Sequence, residues 1–220
     1  MNIYDLLKTP GEHAFMANGV VGELEVALNV PDDTREHLVA VIGHPHSLFG
    51  GTMSNKVVTT TTKAFNALNI PSLRFNFRGV GKSEGVFDNG IGESEDMLKL
   101  VALLKEANPQ SKFIFAGFSF GSFVAYRASA QHEHKMLITI APPIERFDYQ
   151  AYSKQPNPWL IIQGEADDVV DPQGVIEFAT QNKPVLGLVR FKDTGHFFHG
   201  KLIELKECLI EKISLRVIEL

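Results

Sequence analysis

At 220 residues the chain is long enough for one α/β domain, 1–220, with a substantial core, and 44% hydrophobic and 21% charged residues exclude a disordered polymer. A formal net charge of −5 gives no global basic field for nucleic acid. The lone cysteine, Cys208, excludes an intramolecular disulfide, the stretch Met1 to Lys8 lacks the apolar core of a signal peptide, and no apolar run approaches a membrane span, so a cytoplasmic protein is expected.

In chain order, His13 to Met16 and Val21 to Val30 read as a β-ribbon about Ala17-Asn18-Gly19. Leu38 to Ile42 is a short apolar run of the kind that forms a buried strand. Met53 to Leu68 sits where a helix is needed, but the β-branched run Thr59 to Thr62 has poor helix propensity. Leu73 to Phe77 reads as the next strand. A helix follows from about Glu93 to Glu106, with Met97, Val101 and Leu104 on one face and Pro109 as its stop. Phe113 to Ala116, Met136 to Ile140, Trp159 to Ile162 and Leu186 to Phe191 are further buried strands. Ser122 to Ala128 and Lys201 to Ser214 are helical. Strands separated by helices predict an α/β fold: about eight strands, mostly parallel, the first two antiparallel, with helices on both faces.

Chemistry concentrates at Gly117-Phe118-Ser119-Phe120-Gly121, which lies between an apolar strand and a helix. That is the context of a nucleophile elbow, where a serine on a tight turn projects its hydroxyl from the sheet edge and glycines on either side relieve backbone crowding. A serine hydroxyl needs a base, and the base needs an orienting group. After the Trp159 strand comes Gly164-Glu165-Ala166-Asp167-Asp168, with Asp171 close behind; after the Leu186 strand comes Gly195-His196. Singly, these read as a solvated turn and a surface histidine. Together they follow the order serine, acid, histidine at successive strand ends.

With His44-Pro45-His46, Gly50-Gly51-Thr52-Met53 and the stretch Arg74 to Gly85, these motifs make the chain resemble the α/β-hydrolase superfamily over nearly its whole length. It is similar in particular to small, lid-poor bacterial hydrolases related to dienelactone hydrolases, which themselves use a cysteine where Ser119 stands. The resemblance implies the α/β-hydrolase fold, with Ser119 as nucleophile, Asp167 as acid and His196 as general base. Asp168 and Asp171 remain alternatives for the acid. It also implies an oxyanion hole made by the backbone N–H groups of His46 and Phe120; Pro45 has no N–H to offer.

The expected function is therefore a serine hydrolase of carboxylesterase type, acting on small or medium acyl esters and needing no cofactor. The expected partner is a small-molecule ester, with neither nucleic acid nor membrane involved. The pairs His44/His46, His132/His134 and His196/His199 lack recognised metal-ligand spacing. Gly79-Val80-Gly81-Lys82-Ser83 ends like a phosphate-binding loop, but Asn76 stands where its first glycine belongs and turn formers follow the lysine. The rival class is a silent scaffold of the same fold that binds another protein. About 18 residues, Ala141 to Pro158, join the sixth and seventh strands, too few for a large helical lid, so an open pocket is expected. Phe118, Phe120, Phe197, Phe198 and Tyr152 are candidate apolar walls.

Overall fold

Side chains alternate across each central strand, and both faces are covered. In strand β3 (Leu38–Gly43), Val39 and Val41 enter one core while Ala40 and Ile42 enter the other. Strand β5 (Lys112–Phe118) divides in the same way, Phe113 and Phe115 against Ile114, Ala116 and Phe118. This two-sided burial is why the strands read as unbroken apolar runs rather than alternating ones.

The computed structural model describes residues 2–35, 37–152, 155–182 and 186–218. The remaining strands are β1 (Gly11–Asn18), β2 (Glu23–Val30), β4 (Ser72–Phe75), β6 (Met136–Ile140), β7 (Trp159–Gly164) and β8 (Leu186–Phe191). They form one eight-stranded sheet in the order β1-β2-β4-β3-β5-β6-β7-β8. Strand β2 runs antiparallel to β1 and β4, and every other pairing is parallel. A short α1 (Ile3–Leu6) precedes the sheet. Helices α3 (Ile91–Ala107), α4 (Phe120–Ala130) and α5 (Pro172–Gln181) contribute to the first core; α2 (Lys56–Ala67) and α6 (Leu202–Ile213) contribute to the second. Among the described residues no helix is long and apolar enough to cross a membrane.

The threonine run lies within α2 despite its propensity. Thr61 Oγ1 donates to the Val57 carbonyl at 2.9 Å and Thr62 Oγ1 to that of Val58 at 3.2 Å, so these two buried hydroxyls are satisfied inside the helix. Val57, Val58, Ala64 and Phe65 supply the apolar contacts that override the local preference. Helix α5 buries Val175, Phe178 and Ala179; Asp171 caps it by accepting from the Gln173 and Gly174 N–H groups, and Pro172 opens it.

The loop after β4 is fixed by Arg78. Its Nε meets the buried Asp96 carboxylate at 2.8 Å and its Nη2 donates to the Gly92 carbonyl at 2.8 Å. A Cβ on Gly92 would lie 1.8 Å from Arg78 Nη1, so a side chain there would push the guanidinium out of this position. In the loop that resembles a phosphate cradle, the Glu25 carboxylate accepts from the Lys82 N–H at 3.0 Å and from the Asn76 amide at 2.8 Å. A protein carboxylate already takes the donor a phosphate would need.

Candidate active site

The turn from β5 into α4 puts Ser119 at φ 54°, ψ −123°, a conformation that non-glycine residues rarely adopt. The two glycines of the pentapeptide make this possible. A Cβ on Gly117 would lie 2.0 Å from the Gly121 oxygen, and one on Gly121 would lie 2.4 Å from both the carbonyl carbon and the oxygen of Gly43. Helix α4 therefore docks backbone-to-backbone on the end of β3. Ser119 N–H donates to the Ile140 carbonyl at 2.8 Å, which ties the turn to β6.

The three residues expected from the motif order meet. His196 Nε2 lies 3.0 Å from Ser119 Oγ, and His196 Nδ1 lies 2.9 Å from Asp167 Oδ2. Carboxylate oxygens only accept, so the proton sits on Nδ1 and Nε2 faces the serine hydroxyl as an acceptor. Asp167 Oδ1 accepts from the Val169 and Val170 N–H groups at 2.9 and 2.8 Å, and Oδ2 also accepts from Gln163 Nε2 at 3.1 Å. Burial pushes the Asp167 carboxyl upward, but the hydrogen bonds from His196 and the two backbone N–H groups outweigh it and hold the group below its ordinary range. Asp168 is exposed, and Asp171 is engaged as the α5 cap, so neither takes the place beside His196. The acid and histidine loops are packed together: Ala166 N–H donates to the Thr194 carbonyl at 3.0 Å, and a Cβ on Gly164 would lie 2.3 Å from that same oxygen.

Ser119, His196 and the His46 loop open on a cavity of about 610 Å³. Phe120 is the first residue of α4, so its N–H has no partner within the helix. Burial, and then the positive charge of Arg146, hold the His46 imidazole below its ordinary value and so favour the neutral ring. Of the aromatic residues expected to form walls, Phe120 and Phe197 line the cavity, joined by Phe49 and Phe147. Phe118 and Phe198 belong to the core instead, and Tyr152 packs against Tyr126, 5.9 Å between ring centroids. Phe118 still matters, since its ring lies 4.9 Å from that of His196 and backs the imidazole. Phe49 was within reach of sequence reasoning, lying three residues beyond His46; Phe147 gave no local signal. Among the described residues no group of three or more His, Cys, Asp or Glu side chains could hold a metal ion.

The fold has close counterparts. XC6422 from Xanthomonas campestris, an α/β serine hydrolase without a lid, is 41% identical, with 94% of this chain and 95% of that one covered at a TM-score of 0.89. The chain belongs to the α/β-hydrolase superfamily, among its small lid-poor members. An α/β serine hydrolase homologue from Coxiella burnetii is 40% identical, covering 91% of this hydrolase and 97% of its own chain at a TM-score of 0.88. The uncharacterized protein RP471 of Rickettsia prowazekii is 32% identical over 181 residues, 78% of this chain and 76% of that protein. No established family model matches the chain.

Proposed function

We propose that this hydrolase is a serine esterase in which Ser119, His196 and Asp167 form the catalytic triad and the N–H groups of His46 and Phe120 form the oxyanion hole. The observation that carries the reading is the hydrogen-bonded chain from Ser119 Oγ through His196 to Asp167, at 3.0 and 2.9 Å, opening on a cavity.

The chemistry follows from those positions. As Ser119 Oγ bonds to the acyl carbon, its proton passes to His196 Nε2 and the carbonyl oxygen becomes an oxyanion beside the two N–H groups. The intermediate collapses, the C–O bond to the alcohol breaks, and the leaving oxygen takes the proton from Nε2. Water then attacks the acyl-enzyme, giving its proton to Nε2; collapse returns that proton to Ser119 Oγ and frees the acid. Asp167 stabilises the imidazolium in both halves without itself taking the proton. None of these steps calls on a cofactor.

A cavity of about 610 Å³ with aromatic walls suits small or medium acyl esters. A fluorophosphonate probe tests the nucleophile: wild-type protein should label, and Ser119→Ala should not. Activity across p-nitrophenyl esters should be highest for short acyl chains and vanish in Ser119→Ala. Folded wild-type protein that neither labels nor turns over any ester would favour the non-catalytic scaffold.

A further inference from the structure

His44 ends up fully buried just past β3, yet it has no part in the Ser119–His196–Asp167 chain. Its Nδ1 lies 2.6 Å from the Pro45 carbonyl oxygen, and its Nε2 lies 2.9 Å from the Phe77 backbone nitrogen. A carbonyl can only accept and a backbone N–H can only donate, so one tautomer satisfies both contacts: the proton on Nδ1, the lone pair on Nε2. Burial lowers this imidazole to about 4, which keeps it neutral, and able to fill both roles, at ordinary pH. The Phe77 ring packs on it, 4.0 Å between centroids.

The Pro45 carbonyl and the His46 N–H belong to the same peptide unit. Among the described residues the only cis bond is Asn157–Pro158, so this unit is trans, and in a planar trans peptide the N–H points away from the C=O. Whatever holds the carbonyl therefore aims the N–H. Gly51 also packs against the unit: a Cβ there would lie 2.0 Å from the same Pro45 oxygen. Pro45, His46 and Ser119 all line one cavity.

We infer that His44 is a positioning residue for the ester cleavage proposed above: by donating Nδ1–H to the Pro45 carbonyl, it holds the Pro45–His46 peptide so that the His46 N–H faces the developing oxyanion. The inference rests on that esterase reading for its catalytic consequence, but not for its geometry. A hydrogen bond to the carbonyl also polarises the amide, which makes its N–H a stronger donor when negative charge appears. Phe77, at the far side of the ring, anchors the device to the end of the neighbouring strand. A leucine could fill the same volume but would leave the peptide free to turn. An asparagine places an amide NH₂ close to the position of Nδ1 and restores the donor.

The test combines kinetics with spectroscopy. In His44→Leu, kcat per fluorophosphonate-titrated site should fall about 10- to 100-fold, part of the loss expected for removing an oxyanion donor outright. KM should stay within about twofold, because the contact strengthens only in the transition state. Affinity for a trifluoromethyl ketone, which forms an oxyanion on Ser119, should drop in step with kcat, and His44→Asn should recover most of both. Nitrogen-15 spectra of wild-type protein should show His44 protonated at Nδ1 and bare at Nε2. A proton on Nε2, or an unchanged kcat per titrated site in His44→Leu, would overturn the inference. If wild-type protein fails to label at all, the esterase reading falls separately. The His46 amide resonance then decides: it should be single in wild type and broadened or split in His44→Leu, and no change would sink the positioning role.

Discussion

Replacing Asp167 by asparagine changes one atom and should cost far more activity than stability. Four donors surround the carboxylate: the Val169 and Val170 N–H groups on Oδ1, and Gln163 Nε2 and His196 Nδ1 on Oδ2. The two backbone donors cannot turn, so the asparagine oxygen must stay at Oδ1, and the new NH₂ falls at Oδ2. There it confronts Gln163 and the protonated Nδ1. Gln163 has an unpartnered Oε1, but turning its amide to accept would forfeit the bond its Nε2 donates to the Gly164 carbonyl at 3.0 Å. His196 is relieved only by moving its proton to Nε2, which makes Nδ1 the acceptor. That tautomer points a proton at Ser119 Oγ and can no longer take one. Activity should fall about 10³- to 10⁴-fold, the scale of a triad locked in the wrong tautomer. Stability should fall by about 1–3 kcal/mol, the cost of disturbing buried polar pairs. Steady-state hydrolysis of p-nitrophenyl acetate measures the first and urea denaturation the second. If Asp167→Asn kept activity within about tenfold of wild type while Asp168→Asn or Asp171→Asn abolished it, the acid would be misassigned and the tautomer reasoning wrong.

Three other outcomes can be checked on the same footing. Gly121→Ala should destabilise the protein by about 1–3 kcal/mol although alanine is the better helix former, because its Cβ would meet Gly43 backbone atoms at 2.4 Å; an unchanged urea midpoint would contradict this. In acid, the unfolded chain protonates His44 near its ordinary value of 6.5 while the folded ring resists to about 4, so unfolding takes up the proton across that window. The contribution is present above pH 6.5 and is lost as pH falls to about 4, amounting to about 3 kcal/mol, and Asp167, held below the ordinary range, adds a further loss at lower pH. His44→Asn should flatten the first part of a stability-versus-pH curve, and an unaltered slope would count against the buried neutral ring. Arg78→Met should cost about 3–5 kcal/mol by leaving the buried Asp96 carboxylate without its cation, and Asp96→Leu in the same chain should restore part of the loss; additive losses would refute the pairing.

The positions of Ser119 and His196, and the acidic turn that holds Asp167, were legible because each is set by a local rule. A serine between glycines at a strand end, an acid after a glycine turn and a histidine after another each follow a buried strand that betrays itself by its apolar run. The helix through Thr59 to Thr62 resisted reading because its stability comes from packing, which supplies what β-branched side chains withhold. Phe118 and Phe198 carry the same letters as Phe120 and Phe197, yet the first pair lies in the core away from the cavity while the second pair lines it, Phe120 being a core residue as well. No local pattern separates them, because the face a side chain occupies depends on what packs above it.

By itself, then, the chain's order of residues determined the alternation of strands and helices, the strained serine turn and the succession of serine, acid and base. Only the tertiary structure decided that Asp167 rather than its neighbours reaches His196, that a carboxylate fills the loop resembling a phosphate site, and that His44 grips the peptide carrying the His46 N–H. The division has a physical cause. Backbone conformation and apolar periodicity act between residues close in sequence, whereas hydrogen-bond direction and burial are settled between strands that meet only when the sheet is assembled.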